Sequence, residues 1–217
     1  SSAVNVARER FKEESMPGDF MRADISCLDV PNASLDIIFS EGVLHHTDST
    51  ERTLKYLAKK LVPGGRFMFY VYRKKALIRE FTDDVIREAL QPLTDEQAWE
   101  ALKPLTQLGI VLGQLGQEIN VEIPIPFLGI ETGKLDLQRF FYWNICKAYY
   151  RPELSFDEMH HINFDWFRPL NCQRHTPEEI RQWCGEAGLD VEHMDLQEAG
   201  ITVVARRGAF VVDGAGV

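Results

Sequence analysis

The stretch LDIIFSEGVLHHTDST, residues 35–50, and the run RFMFYVY, residues 66–72, decide the fold. Residues 35–40 form a short, almost continuously apolar run rich in β-forming residues. Such a run predicts a strand that is buried on both faces in a parallel sheet. RFMFYVY predicts a second buried strand. A helix between the two would complete a strand–helix–strand unit, which is normally parallel and right-handed.

The residues between these strands predict that helix. Asp48 is a plausible N-cap, and Glu51, three residues later, would complete a capping box. Pro63-Gly64-Gly65 is expected to end the helix and turn the chain into the next strand. The apolar side chains fall on one helical face, and they are Leu54, Leu57, Ala58 and Leu61.

Further α/β elements are predicted at both ends of the chain. Residues 2–14 predict a helix, and residues 20–23 predict a short strand that ends at Asp24. Near the other end, Thr176-Pro177-Glu178-Glu179 is a strong helix start, with Thr as N-cap and Pro at the first position. Two strands joined by a tight turn around Gly200 follow, and they are expected to be antiparallel.

The middle of the chain has a different character. Residues 76–118 predict helices divided by Pro92 and Pro104, and two prolines make an interior strand unlikely in residues 121–130. The sequence therefore predicts an α/β core in residues 1–75 and 174–207, a mostly helical insert in residues 76–173 and a loose tail in residues 208–217. An insert after RFMFYVY would lie at the carboxyl edge of the sheet, where ligands bind, and would suit a substrate cap.

Composition limits the classes of function. The 217 residues carry a formal net charge of −9, which argues against a nucleic-acid-binding surface. The four cysteines are widely spaced and form no CxxC motif, so a reducing cytoplasm is the expected location. No apolar run approaches the roughly 20 residues of a membrane span, and the chain begins with no signal peptide, so no membrane partner is expected.

Taken in order, Ala23-Asp24-Ile25, SLDIIFSEGVLHHTD and LVPGGRFMFYVY resemble the class I S-adenosylmethionine-dependent methyltransferases. The resemblance is nearest to the branch related to quinone-biosynthesis methyltransferases, and it covers residues 1–75. It implies a Rossmann-like, mainly parallel sheet with an antiparallel last strand. It also implies S-adenosylmethionine as the cofactor and a small-molecule methyl acceptor.

The resemblance also implies roles for individual residues. Asp24 would accept a hydrogen bond from the adenine amino group, and Ile25 would pack on the adenine face. The loop after the first predicted strand would touch the methionine part of the cofactor, and glycine there would permit close approach. The residues of that loop are Ser40, Glu41, Gly42 and Val43.

One departure from the family pattern stands out. The Gly-rich turn and the acidic residue that holds the ribose hydroxyls should lie before residue 1, so the first two strands are expected to be missing. Either the sequence is a fragment or another chain, such as a second copy in a homo-oligomer, completes the sheet.

The adjacent histidines His45 and His46 allow several interpretations. Adjacent residues point apart, so a metal site is disfavoured even when His160-His161 is added. One ring is expected to pack, and the other is a candidate catalytic base, because histidine titrates near neutrality. Tyr72 and Arg73, at the end of the second strand, and Trp166, where the insert returns, are candidates for the substrate pocket. For each of them, ordinary packing is the alternative.

These observations together predict a methyltransferase that moves a methyl group from S-adenosylmethionine to a small acceptor. The first alternative is a non-catalytic, methyltransferase-like protein that binds a ligand or a partner chain. The second is a metal-dependent hydrolase that uses the histidine pairs.

Overall fold

In the computed structural model, which describes residues 3–208, sheet strands occur at both ends of the chain and helices dominate its middle. The predicted loose tail therefore lies, except for Gly208, outside the described residues. The helices are α1 (Ala3–Glu13), α2 (Thr50–Ala58), α3 (Leu77–Leu90), α4 (Asp95–Gln114), α5 (Leu137–Asn144), α6 (Phe156–Phe167) and α7 (Pro177–Glu186). The strands are β1 (Leu35–Glu41), β2 (Leu61–Tyr72), β3 (Glu118–Val121), β4 (Gly133–Asp136), β5 (Leu189–Leu196) and β6 (Gly200–Arg207).

Four of the strands form one mixed sheet in the order β1-β2-β6-β5. β1 pairs with β2 in parallel, and Phe39 lies beside Met68. β6 is antiparallel to both of its neighbours, β2 and β5. Three strands thus run in one direction and the last one, β6, runs against them. This arrangement confirms the expected mainly parallel sheet with an antiparallel last strand.

Two hydrophobic clusters organise the chain. The first packs α2 and α7 against the sheet through fully buried side chains such as Leu54, Phe67 and Ile180. The second lies within the insert and includes Leu102 and Phe167. Burying one such side chain contributes about 1.5–3 kcal/mol. The buried residues of the first cluster lie in the proposed core, and those of the second cluster lie in the proposed insert.

The predicted burial of β1 is wrong. Ile37 is 60% exposed and Phe39 is 67% exposed. The reason is position, because within residues 3–208 β1 is the edge of the sheet and has β2 as its one neighbour. The strand predicted over residues 20–23 is also wrong. Those residues have no ladder partner among the described strands, and Asp24 instead caps a 3₁₀ turn, Ile25–Cys27.

The predicted start of α2 is wrong by one residue. Ser49 is the N-cap, and its hydroxyl accepts a hydrogen bond from the backbone N–H of Arg52 at 3.2 Å. Asp48 instead accepts from the side-chain amide of Asn171 at 3.1 Å. Leu61, predicted on the helical face, begins β2, so Pro63-Gly64-Gly65 lies inside a strand.

The start of α7 is confirmed. The Thr176 hydroxyl accepts from the Glu179 backbone, and the Glu179 side chain bonds back to Thr176, which completes a capping box. In the insert, however, Pro104 does not divide two helices but lies within α4. The cost of its missing N–H is offset by a buried stripe that includes Ala98 and Thr106.

The insert also contains a hairpin that the sequence did not predict. β3 and β4 pair with each other as a separate two-stranded sheet, and the proline-rich stretch forms their connection. Phe127, within that connection, is 89% exposed. No helix within residues 3–208 combines the length and the apolar character that crossing a membrane requires.

Candidate functional site

The chain around the end of β1 combines an uncrowded backbone at Gly42 with a buried side chain at Ser40. Gly42 has φ +71°, and a Cβ placed there would meet no atom within 4 Å. The prediction that Ser40 and Glu41 belong to the loop after β1 is wrong, because both pair with β2 as the last residues of β1. Ser40 is buried and its hydroxyl oxygen has no hydrogen-bond partner. Glu41 and Val43 are exposed. A positive φ without crowding, beside an unpaired polar atom, suits a loop whose backbone is approached by a ligand.

His45 lies in a short 3₁₀ turn after this loop and is fully buried. Its ring stacks on Tyr72 with 3.7 Å between centroids and an interplanar angle of 30°. Neither ring nitrogen has a hydrogen-bond partner among the described residues. Burial first, and then the neighbouring His46 and His175, lower the pKa of His45 to about 3. His45 is therefore an uncharged aromatic side chain that packs against Tyr72.

His46 is placed differently. Its Nδ1 lies 2.6 Å from the backbone carbonyl oxygen of Asn171. Because a carbonyl oxygen can only accept, Nδ1 must carry the proton and donate it. The neutral ring then keeps its lone pair on Nε2, which is the arrangement that orients histidine as a base. The side chain is half-buried, so the ring retains access to solvent.

The histidine turn is held by residues 171–175, which we call the return segment because they lead from the insert back to the core. The backbone N–H of Gln173 donates to the carbonyl of His45 at 2.9 Å, and its side chain bonds Thr47 and Thr50. His175 and the Thr50 hydroxyl are 2.9 Å apart. No local sequence pattern marks Gln173, because its role depends on residues more than a hundred positions away.

Two of the three predicted pocket residues, Tyr72 and Trp166, come together, and Arg73 does not join them. Tyr72 contacts both His45 and Trp166, with 4.8 Å between the centroids of Tyr72 and Trp166. Trp166 is only 6% exposed, so it packs inside the insert. Arg73 points elsewhere, since neighbouring strand residues face opposite sides, and it reaches the carbonyl oxygen of Gln197 at 3.4 Å.

A buried charged cluster underlies Trp166. Asp83 accepts from the Arg79 Nε at 2.6 Å and from the Trp166 indole at 2.8 Å through one carboxylate oxygen. Its other oxygen accepts from the backbone N–H of Lys147 at 3.2 Å. The Lys147 ammonium lies 4.6 Å from the Trp166 ring centroid. Sequence reasoning missed this cluster, since its members are separated along the chain.

Asp24 and Ile25 lie on the 3₁₀ turn that packs against α2. One oxygen of the exposed Asp24 carboxylate accepts from the backbone N–H of Ser26 at 2.8 Å and from its hydroxyl at 2.7 Å. These hydrogen bonds lower the pKa of Asp24, so it is ionised and keeps its second oxygen for a donor. Ile25 is half-buried against the first hydrophobic cluster.

The second histidine pair does not join the first. Both ring nitrogens of His160 have partners in the insert, the Thr106 hydroxyl at 2.8 Å and the Trp99 carbonyl at 3.0 Å. His161 is exposed. Across residues 3–208, no group of three or more His, Cys, Asp or Glu side chains is arranged to hold a metal ion.

Comparison with known proteins matches the part of the chain that contains β1, the open loop and most of β2. Residues 1–69 match the family described as "Methyltransferase domain". Residues 1–69 are therefore similar to a methyltransferase domain, as the motifs of this region predicted. The branch related to quinone biosynthesis stays a prediction.

Among curated proteins, uncharacterized methyltransferases of Mycobacterium tuberculosis and Mycobacterium bovis are 32% identical over 60 residues, which is 28% of this chain and 30% of each relative. The chain thus matches less than a third of their length. Solved structures with a similar trace include a methyltransferase from Aquifex aeolicus, with 10% identity and a TM-score of 0.42 over 94% of this chain and 63% of the other. Another is an N1-methyltransferase from Burkholderia thailandensis, with 12% identity and a TM-score of 0.44 over 93% and 56%.

The residues present fit S-adenosylmethionine, the cofactor that the resemblance implies. Gly42 leaves room beside the backbone, and the Ser40 hydroxyl nearby is buried and unpaired. Asp24 retains a free carboxylate oxygen on the turn where an adenine amino group would be expected to donate.

Proposed function

We propose that the protein transfers a methyl group from S-adenosylmethionine to a small-molecule acceptor at the carboxyl ends of β1 and β2. The observation that supports this most is the loop Ser40–Val43, which comprises the last two residues of β1 and the two residues that follow, within the matched segment. It combines an uncrowded glycine at positive φ with a buried hydroxyl that lacks a partner. When bound, the cofactor supplies a sulfonium-activated methyl group, and the protein has to hold the acceptor in line and exclude water.

The proposal assigns cofactor contacts to two groups of residues. Asp24 and Ile25 hold the adenine end, and the loop Ser40–Val43 holds the methionine end. The buried ring of His45 stacks on Tyr72 and excludes water from the region behind the loop.

The two histidines have different roles in this proposal. A base with a pKa of about 3 is too weak to take a proton efficiently near neutral pH, which argues against His45. His46 is the proposed base, because its Nδ1–H is fixed on the Asn171 carbonyl and Nε2 keeps its lone pair. His46→Asn retains an amide donor for that carbonyl and removes the basic nitrogen. For an acceptor that must lose a proton, kcat should fall by about 10²- to 10⁴-fold.

The proposed role of His46 is checked by methyl transfer with His46→Asn and His46→Ala. If the nitrogen acts as a base, both variants lose activity and binding of S-adenosylhomocysteine is unchanged. If His46 only holds the loop, the asparagine variant keeps its activity and the alanine variant weakens binding.

Titration calorimetry with S-adenosylhomocysteine on the full-length polypeptide tests the cofactor assignment. Gly42→Val should weaken binding by roughly tenfold or more, which is about 1.4 kcal/mol. Gly116→Val is a matched control, because Gly116 also has a positive φ of +57° and open space around it but lies in the insert. Absence of binding to the unmodified protein, or equal effects of the two substitutions, would overturn the proposal.

A second candidate is a non-catalytic, methyltransferase-like protein that pairs with another chain. The open edge of β1, with Ile37 and Phe39 exposed, favours it. Under this candidate, S-adenosylhomocysteine would give no heat of binding and β1 would form the interface.

A further inference from the structure

A groove lies between helix α2 and the 3₁₀ turn that Asp24 caps, and we call it the α2 groove. Its volume is about 510 Å³, which is enough room for a small ligand, and it is open to solvent. Three cations, two hydroxyl groups and one carboxylate supply most of the polar lining, and they belong to Arg52, Lys55, Lys59, Ser26, Ser49 and Asp48.

The lining of the α2 groove is basic, although the whole protein carries a formal net charge of −9. Asp48 is the one carboxylate among the lining residues, and it already accepts a hydrogen bond from the side-chain amide of Asn171 at 3.1 Å. The ammonium of Lys55 is paired with the carboxylates of Glu51 and Glu186. The two other cations of the groove therefore remain as an excess of positive charge.

Arg52 and Lys59 carry this excess charge. Both are exposed, and within residues 3–208 neither side chain makes an ion pair or a hydrogen bond. They are seven residues apart and so lie on the same side of the helix, about 10 Å apart along its axis. The Ser49 hydroxyl oxygen accepts from the backbone N–H of Arg52 at 3.2 Å, which leaves its own hydrogen available to a ligand. A guanidinium, an ammonium and a hydroxyl donor on one surface are groups that bind phosphate oxygens.

We propose that the α2 groove binds a phosphate-bearing ligand, with Arg52 and Lys59 as the recognition cations and Ser49 as a hydroxyl donor. A phosphate group suits this set better than a single carboxylate, because it offers more acceptor oxygens and more negative charge. The long side chains of the two cations can reach one phosphoryl group or a pair of linked ones. The inference does not depend on methyl transfer, because none of these residues belongs to the proposed cofactor loop Ser40–Val43.

Inorganic pyrophosphate is the probe, and it is titrated into the full-length polypeptide at constant ionic strength. In ¹H–¹⁵N NMR spectra, the Nε–H of Arg52 and the backbone N–H of Ser49 should show saturable shifts. Arg52→Gln combined with Lys59→Gln should weaken binding by about tenfold or more. Arg10→Gln combined with Lys134→Gln removes two positive charges from exposed positions elsewhere and should leave binding unchanged.

Sedimentation with phosphatidylcholine vesicles, with and without phosphatidic acid, distinguishes two sources of the phosphate group. Binding to the phosphatidic acid vesicles that the Arg52 and Lys59 double variant loses would support the site and identify a lipid headgroup. Saturable binding of pyrophosphate without binding to vesicles would support the site and identify a soluble phosphate. Absence of saturable binding to the unmodified protein, or equal effects of the two double variants, would overturn the proposal, whatever the result with S-adenosylhomocysteine.

Discussion

Acidification to pH 5.5 should destabilise the fold through its buried neutral histidines. His45 and His175 have pKa values lowered to about 3 and about 4, mainly by burial, from an ordinary value of 6.5. At pH 7.5, one unit above the ordinary pKa, both the folded and the unfolded chain leave them almost entirely unprotonated. As the pH falls below 6.5, the unfolded chain binds protons that the folded chain does not, so the free energy of unfolding falls until the folded pKa is reached.

The size of the effect follows from the pH interval. At pH 5.5, one unit below the unfolded pKa, each histidine costs about 1.4 kcal/mol relative to pH 7.5. The two together cost about 3 kcal/mol, a large fraction of the roughly 5–15 kcal/mol of a typical domain.

Urea unfolding at the two pH values, followed by circular dichroism, measures the effect. His45→Phe keeps an aromatic ring against Tyr72 and removes the titrating group. The variant should therefore lose about 1.4 kcal/mol less than the unmodified protein between pH 7.5 and pH 5.5. His161→Phe is the control, since that histidine is exposed. Equal pH dependence of His45→Phe and the unmodified protein would refute the reasoning.

Three further predictions concern packing and self-association. Gly200→Ala should lower the free energy of unfolding by about 1–3 kcal/mol, because the new Cβ would overlap ring atoms of Tyr70. Asp83→Ala should cost about 3–5 kcal/mol in urea unfolding, since it leaves a buried guanidinium unpaired. Replacing Ile37 and Phe39 with lysine should reduce self-association in light scattering, because both side chains are exposed on an edge strand.

Matched substitutions control for general effects of mutation. Gly185→Ala places its Cβ in open space on α7 and should be neutral or mildly stabilising. Glu100→Ala breaks an exposed ion pair and should cost about 1 kcal/mol or less. A loss for Gly200→Ala or Asp83→Ala no larger than that of its control would contradict the packing argument. Unchanged association of the lysine variant would show that β1 is not the contact surface.

The confirmed predictions concern elements that are determined by residues close together in the sequence. The capping box at Thr176 and the β5–β6 hairpin around Gly200 each depend on residues that are close together in the sequence. The parallel pairing of β1 and β2 followed from their apolar runs and the helix between them.

The wrong predictions concern features that are determined by residues far apart in the sequence. Asp48 has good capping chemistry, but Asn171 occupies its carboxylate and Ser49 takes the cap. β1 has the composition of an interior strand, yet a strand's burial depends on how many neighbours it has. The apolar content of a strand does not reveal how many neighbouring strands it has.

The candidate site was only partly predictable for the same reason. The loop Ser40–Val43 and the histidine pair are contiguous and could be recognised from their order along the chain. The buried cluster around Asp83 could not, because its members are separated along the chain. Only the fold shows that Asp83 accepts hydrogen bonds from Arg79 and Trp166.

Photocrosslinking tests the central claim most directly. S-adenosylmethionine labelled in its methyl group is irradiated with the full-length protein, and the labelled peptides are identified by mass spectrometry. The proposed site predicts label on the peptide that contains Ser40–His46, and competition by S-adenosylhomocysteine should remove it. Absence of label, or label confined to α6 in the insert, would contradict the assignment of this loop as the cofactor site.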